Sequence, residues 1–120
     1  MGFSYKRSKR VGEQIIREVS DMLTKSEIRD PRLKSVALTN FSISDDMGYL
    51  KLYFTKLDEK ADIDEIKKGL DSAGSYIRKK VAQNLRMKKT PKIEFEFDTV
   101  LENGYRIDEL LRDIDSEPDQ

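Results

Sequence analysis

The chain has 120 residues, with 23 Lys and Arg against 23 Asp and Glu, so the formal net charge is zero although 38% of the residues are charged. It contains no Cys and no His, which excludes disulfide staples, thiolate zinc sites, cysteine nucleophiles, Ser-His triads and an imidazole acid or base. At this length one compact domain is expected, spanning residues 1–114 and followed by a short flexible acidic tail at 115–120.

Residues 10–24 read as a helix. Val11, Ile15, Val19, Met22 and Leu23 recur at spacings of three and four, with Ile16 widening the stripe, and the helix should stop before Asp30-Pro31. Residues 35–44 are strand-like. Their apolar phase runs through Val36 and Leu38 and then slips to Phe41 and Ile43, which predicts a bulge near Asn40. Asp45-Asp46-Met47-Gly48 is a turn, and residues 49–57 form the return strand of a hairpin.

Asp62, with Glu65 three positions on, has the spacing of a helix-opening capping box. The stripe Ile63, Ile66, Leu70, Ala73, Ile77, Val81 and Leu85 then keeps register past Gly69 and Gly74, each of which weakens a helix by about 1 kcal/mol relative to Ala. A bend near Ser72 to Ser75, or two helices meeting there, is predicted. Thr90-Pro91 ends this unit. Ile93, Phe95 and Phe97 alternate with Glu94, Glu96 and Asp98, a third strand with one wet face. After a turn at Asn103-Gly104, Tyr105, Ile107, Leu110, Leu111 and Ile114 suggest a closing helix. The order predicts an α+β fold of two layers, a three-stranded sheet with helices on one face, in the topology of a type II KH-like domain.

The neutral total conceals a segregated charge. Residues 1–34 sum to +4, residues 45–72 to −3, residues 78–92 to +7 without one carboxylate, and residues 93–120 to −8. A solvated helix mixes signs and gains pairs one turn apart, so the carboxylate-free stretch points to a polyanionic partner such as RNA or DNA. Its cations are Arg78, Lys79, Lys80, Arg86, Lys88, Lys89 and Lys92. With Ile77, Val81 and Leu85 toward the sheet, Lys79, Gln83 and Arg86 point about 140–160° away. Lys80 flanks the stripe, Arg78 sits at its border, and Lys88, Lys89 and Lys92 extend the strip along the following loop. A second cluster, Arg7, Lys9 and Arg10, precedes the first helix and can be mobile. Arg32 reads as a cap or ion-pair partner of Asp30 rather than an RNA contact, and Tyr76 as core or core edge. The strand aromatics are more economically core than a stacking platform. Asp45-Asp46 and Asp58-Glu59 belong to turns rather than a metal site, and there is no phosphate-binding glycine motif. Neither a metal nor a cofactor is expected. No apolar run approaches the ~18 residues needed to span a bilayer and no signal peptide is evident, so a cytoplasmic protein is expected; no large unpatterned apolar surface is evident, so a monomer is expected.

Taken together, Arg7-Ser8-Lys9-Arg10-Val11, Ile28-Arg29-Asp30-Pro31-Arg32, Ser44-Asp45-Asp46, Leu70-Asp71-Ser72-Ala73-Gly74-Ser75-Tyr76-Ile77-Arg78, Leu85-Arg86-Met87-Lys88-Lys89-Thr90-Pro91-Lys92-Ile93-Glu94-Phe95 and Phe97-Asp98 resemble the bacterial ribosome-binding factor A family from Arg7 to about Leu111. The resemblance implies a KH-like fold whose Gly-x-x-Gly loop is replaced by an Ala-x-Gly kink. The matching positions are Ala73, Gly74 and Ser75, with Gly in the middle place and Ser in the last. It implies a non-catalytic assembly factor for the free 30S subunit that contacts 16S rRNA. Such a factor assists late maturation, including that of the 5′ end of 16S rRNA, and is associated with cold adaptation. Small-subunit ribosomal proteins are further expected partners. Two other readings stay open: an adaptor docking its acidic C-terminal segment on a basic ribosomal protein, and a nuclease, against which the lack of His and of clustered carboxylates argues.

Overall fold

A computed structural model describes residues 2–100, with side chains from Arg7 onward. The expected closing helix and the acidic tail lie outside the described residues. Helix α1 spans Gly2–Thr24, strand β1 Val36–Ile43, strand β2 Tyr49–Lys56, helix α2 Ile63–Ser72, helix α3 Gly74–Asn84 and strand β3 Lys92–Phe97. The strands lie in the order β1-β2-β3. β1 and β2 are an antiparallel hairpin, and β3 runs parallel to β2, which requires the long crossover that α2 and α3 supply.

The core forms on one face of the central strand. Leu50, Leu52 and Phe54 of β2 pack with Phe95 against Ile15, Val19 and Met22 of α1, Ile66 and Leu70 of α2, and Ile77 and Val81 of α3. Phe97 meets Phe54 edge-on, ring centroids 5.9 Å apart. Tyr49 and Lys51 alternate to the other face, where the Tyr49 hydroxyl donates to Glu94 and Lys51 pairs with Glu96 at 3.3 Å. The acidic side chains of β3 are thus engaged across the sheet. The result is the α+β, type II KH-like arrangement expected.

The bulge falls where the apolar phase slips, between Leu38 and Asn40. The extra residue, Thr39, donates its hydroxyl to Asp98 Oδ2, and Asp98 also accepts the Val100 N–H at 3.0 Å. Asp98 is therefore buried, not on a wet strand face as strict alternation implied. A second difference concerns α1, which begins at Gly2 rather than near residue 10. Arg7, Lys9 and Arg10 are consequently exposed positions of a continuous helix, not a mobile segment ahead of it.

Asp62 caps α2 as expected, accepting the N–H groups of Asp64 and Glu65. The reciprocal half of the box is replaced by an i,i+3 pair of Glu65 with Lys68 at 3.3 Å. Two glycines permit close packing. A Cβ on Gly12 would sit 2.2 Å from the Phe41 ring, and one on Gly69 would lie 3.0 Å from Leu33 and 3.3 Å from Asp30. Gly69 thereby lets the 3-10 turn Pro31–Leu33 rest on α2.

That turn is built as Asp30 and Arg32 suggested. Asp30 accepts the Arg32 backbone N–H at 2.9 Å and pairs with its guanidinium at 2.8 Å. The Arg32 side chain, then its backbone N–H, holds the Asp30 carboxyl below its ordinary 3.8. A carboxyl depressed in the folded state stabilises above its unfolded value and loses that contribution as pH falls through the folded one. Asp30→Asn should therefore flatten the acid limb of a Tm-against-pH curve below about pH 4; an unchanged limb would show that the pair does not contribute.

Candidate nucleic-acid interface

The two crossover helices meet at one residue. Ala73 (φ −86°, ψ −2°) closes α2 with its N–H on Gly69 O, and its own carbonyl accepts the Ile77 N–H at 2.9 Å. The backbone ladder therefore survives on both sides of the bend. Gly74 opens α3, and a Cβ there would meet nothing within 4 Å, so neither sterics nor a left-handed backbone demands glycine. The substituted kink is intact, and Ser75 faces the adjoining groove.

That groove is open and has a volume of about 810 Å³. One wall is α3, through Ser75, Arg78, Lys79 and Ala82; the second is Lys88, Lys89 and Thr90 of the following loop; the third is the hairpin turn, through Asp46, Met47 and Gly48. The structure thus brings four of the expected cations together: Arg78, Lys79, Lys88 and Lys89. Lys80, Arg86 and Lys92 do not line the groove. Lys80 is half-buried on α3, and Lys92 opens β3 with its N–H on Gly48 O at 2.9 Å. Among the described residues, Lys79, Lys80, Arg86, Lys88 and Lys92 enter no ion pair, while Lys89 lies near enough to Asp46 to act on its carboxyl.

Arg78 has a second task. Its Nη2 donates to Thr90 O at 2.7 Å and its Nε to Pro91 O at 3.1 Å. The guanidinium ties the loop end to α3 and sets Lys88 and Lys89 opposite Lys79. The start of the loop is fixed by the end of α3. Met87 N–H bonds Ala82 O at 2.9 Å and Arg86 N–H bonds Gln83 O at 3.3 Å, a Schellman closure that places Arg86 at φ 53°, where glycine is the usual residue. Arg86→Gly should therefore stabilise the fold by about 1 kcal/mol, seen as a raised Tm; a lowered Tm would mean that the arginine stem packs more than its backbone costs.

The α1 cluster stands nearby. Gly12, two residues past Arg10, rests on the Phe41 ring, and Phe41 lies two residues before the end of β1. The basic first turns of α1 and the hairpin turn thus share one end of the sheet, although Arg7, Lys9 and Arg10 are not among the groove lining. Two features were missed by the sequence reading. The residues 46–48 wall is one, since nothing local in a turn says which helix it faces. Tyr76 is the other: it is 44% exposed rather than core, because Ile77 and Val81 take the inward positions and the residue before Ile77 is turned about 100° away.

Among the described residues, no group of three or more His, Cys, Asp or Glu is placed to hold a metal ion, and no helix is long and apolar enough to cross a membrane. A small α+β sheet, a bent helix pair and a cationic groove beside the bend define a KH-like domain built to present positive charge. Residues 7–111 match the family model for ribosome-binding factor A. A relative of that name from Geotalea uraniireducens (strain Rf4) is 37% identical over 112 residues, covering 93% of this chain and 91% of the relative. The chain belongs to the ribosome-binding factor A family. Solved structures agree in fold. The crystal structure of ribosome-binding factor A from Thermus thermophilus matches with a TM-score of 0.65 at 21% identity, covering 75% of this chain and 93% of that one. A homology model of the Thermus thermophilus factor, fitted into a cryo-EM map of its complex with 30S, gives a TM-score of 0.62 at 20% identity over the same shares.

Proposed function

We propose that this protein is a non-catalytic ribosome biogenesis factor that binds the free small (30S) subunit through 16S rRNA. It assists late maturation in the cytoplasm, including processing of the 16S 5′ end and particularly in the cold. The observation that carries the reading is the groove in which Arg78, Lys79, Lys88 and Lys89 converge from α3 and its following loop. Folded RNA is recognised mainly by shape, phosphates and 2′-hydroxyls, and cations on a stiff helix and a tied loop suit that task. Family membership and the 30S complex of the Thermus thermophilus factor support the choice of partner. Arg86, Lys80, Lys92 and the α1 cluster Arg7, Lys9 and Arg10 are proposed as peripheral cations that widen the contact beyond the groove. The adaptor reading is less favoured, because Glu94 and Glu96 at the head of the acidic segment are engaged by Tyr49 and Lys51.

The test is co-sedimentation of the protein with purified small subunits over a salt series. Each phosphate neutralised releases counterions, so binding should weaken steeply as salt rises, and cells depleted of the protein should accumulate 16S precursor with an unprocessed 5′ end. Salt-independent binding, or a normal 5′ end after depletion in the cold, would contradict the corresponding half of the proposal.

A further inference from the structure

One side chain in the groove has the wrong sign for phosphate. Asp46 lines it together with Arg78, Lys79, Lys88 and Lys89. Its Oδ1 accepts the Ser44 hydroxyl at 2.7 Å and the Gly48 N–H at 3.0 Å, and among the described residues Oδ2 has no donor. The Ser44 hydroxyl, then the Gly48 N–H, and to a smaller extent the Lys89 charge hold the carboxyl below its ordinary 3.8, so the group is an anion at neutral pH. The turn itself does not require that charge, since an asparagine oxygen can make the same local bonds.

An ionised carboxylate only accepts hydrogen bonds. It repels phosphate, so it favours an occupant that brings it a donor over one that presents only acceptors. On a nucleic-acid backbone the one donor is the ribose 2′-hydroxyl, which RNA has and DNA lacks. Base amino groups also donate, but the four surrounding cations hold the backbone, and the 2′-hydroxyl is the donor that travels with it. Building on the proposal that this groove holds rRNA, we infer that Asp46 Oδ2 accepts a ribose 2′-hydroxyl from a strand whose phosphates lie on Lys79, Lys88 and Lys89. Asp46 thereby makes the groove selective for RNA over DNA.

The experiment measures binding of the full chain, by fluorescence anisotropy, to one short single strand prepared as RNA, as DNA and as 2′-O-methyl RNA. A hydrogen bond to a charged group predicts that wild type prefers RNA to both other strands on the order of ten-fold. Asp46→Asn, which keeps the turn's acceptor, should reduce that preference to roughly two-fold, mainly through lost RNA affinity. Lys79→Glu should weaken all three strands together. A preference unchanged by Asp46→Asn, or affinities for RNA and DNA that rise in parallel, would overturn the role of Asp46 and leave the groove standing. Wild-type protein that binds none of the strands in a salt-sensitive way, or Lys79→Glu binding all three as wild type does, would overturn the groove itself.

Discussion

Lys79→Glu, Lys88→Glu and Lys89→Glu combined should abolish binding to purified 30S subunits at moderate salt. The three ammonium groups stand on two walls of one groove, and Arg78 holds those walls together through the carbonyls of Thr90 and Pro91. Each charge-assisted contact removed costs about 1.5–3 kcal/mol. Three together, even with partial compensation, should weaken binding by roughly 100-fold or more. All three side chains are exposed and none is in an ion pair among the described residues, so the fold should be undisturbed and the Tm close to wild type. The control is Lys60→Glu, Lys67→Glu and Lys68→Glu, which changes net charge equally but acts on the loop before α2 and on α2 itself. Lys67 and Lys68 already serve Asp71 and Glu65 there. Co-sedimentation of the groove variant should fail while the control binds. Equal losses in both would mean that only total charge matters, and no loss in the groove variant would remove the groove from the interface.

Gly12→Ala should be the most damaging glycine-to-alanine change among the described residues. The added Cβ would fall 2.2 Å from the Phe41 ring and within 3 Å of two further ring atoms. No real contact is that short, so either the ring leaves its site or α1 lifts from β1. Overpacking of this kind costs about 1–3 kcal/mol, against a gain of about 1 kcal/mol from replacing glycine inside a helix. Both the sign and the cause can be checked by denaturant unfolding. Gly12→Ala should lower stability, and Phe41→Leu in the same chain should restore part of it by withdrawing the ring. A double variant no better than the sum of its parts would place the strain elsewhere. The consequence reaches the proposed peripheral cations, because this contact seats the turns of α1 that carry Arg7, Lys9 and Arg10.

The two glycines of the crossover show how far local pattern carries. Both interrupt the same apolar stripe, and propensity treats them alike. In the fold Gly69 is closely packed, with Leu33 and Asp30 against it, whereas Gly74 has open space beside it. That difference arises from a turn more than thirty residues away in the chain and has no local signature. The bulge at Thr39, the cap at Asp62 and the bend at Ala73 were legible because each leaves a mark in its own segment: a slipped phase, a spaced carboxylate, a broken helix. The first turns of α1 were not, since residues 6–10 are mostly basic and show no apolar period. Asp98 was misplaced for a related reason. Alternation assigns it to water, but the residue extruded by the bulge donates to it from β1, the opposite edge strand of the sheet.

The proposed interface was legible as a charge count and illegible as a shape. A carboxylate-free stretch announces cations, and helix geometry correctly sends Lys79 outward. It could not show that the hairpin turn closes the third side, or that Asp46 stands among the lysines. Nor could it show that Arg78 serves as the strut of the loop while adding its charge to the groove.

Lysine acetylation footprinting of the protein free and on the 30S subunit, read by mass spectrometry, would reveal which lysines meet the subunit. Lys79, Lys88 and Lys89 should be strongly protected in the complex while Lys67 and Lys68 react as they do in the free protein. Protection of the α2 lysines with the groove lysines still reactive would place the contact on α2 and leave the groove without a role.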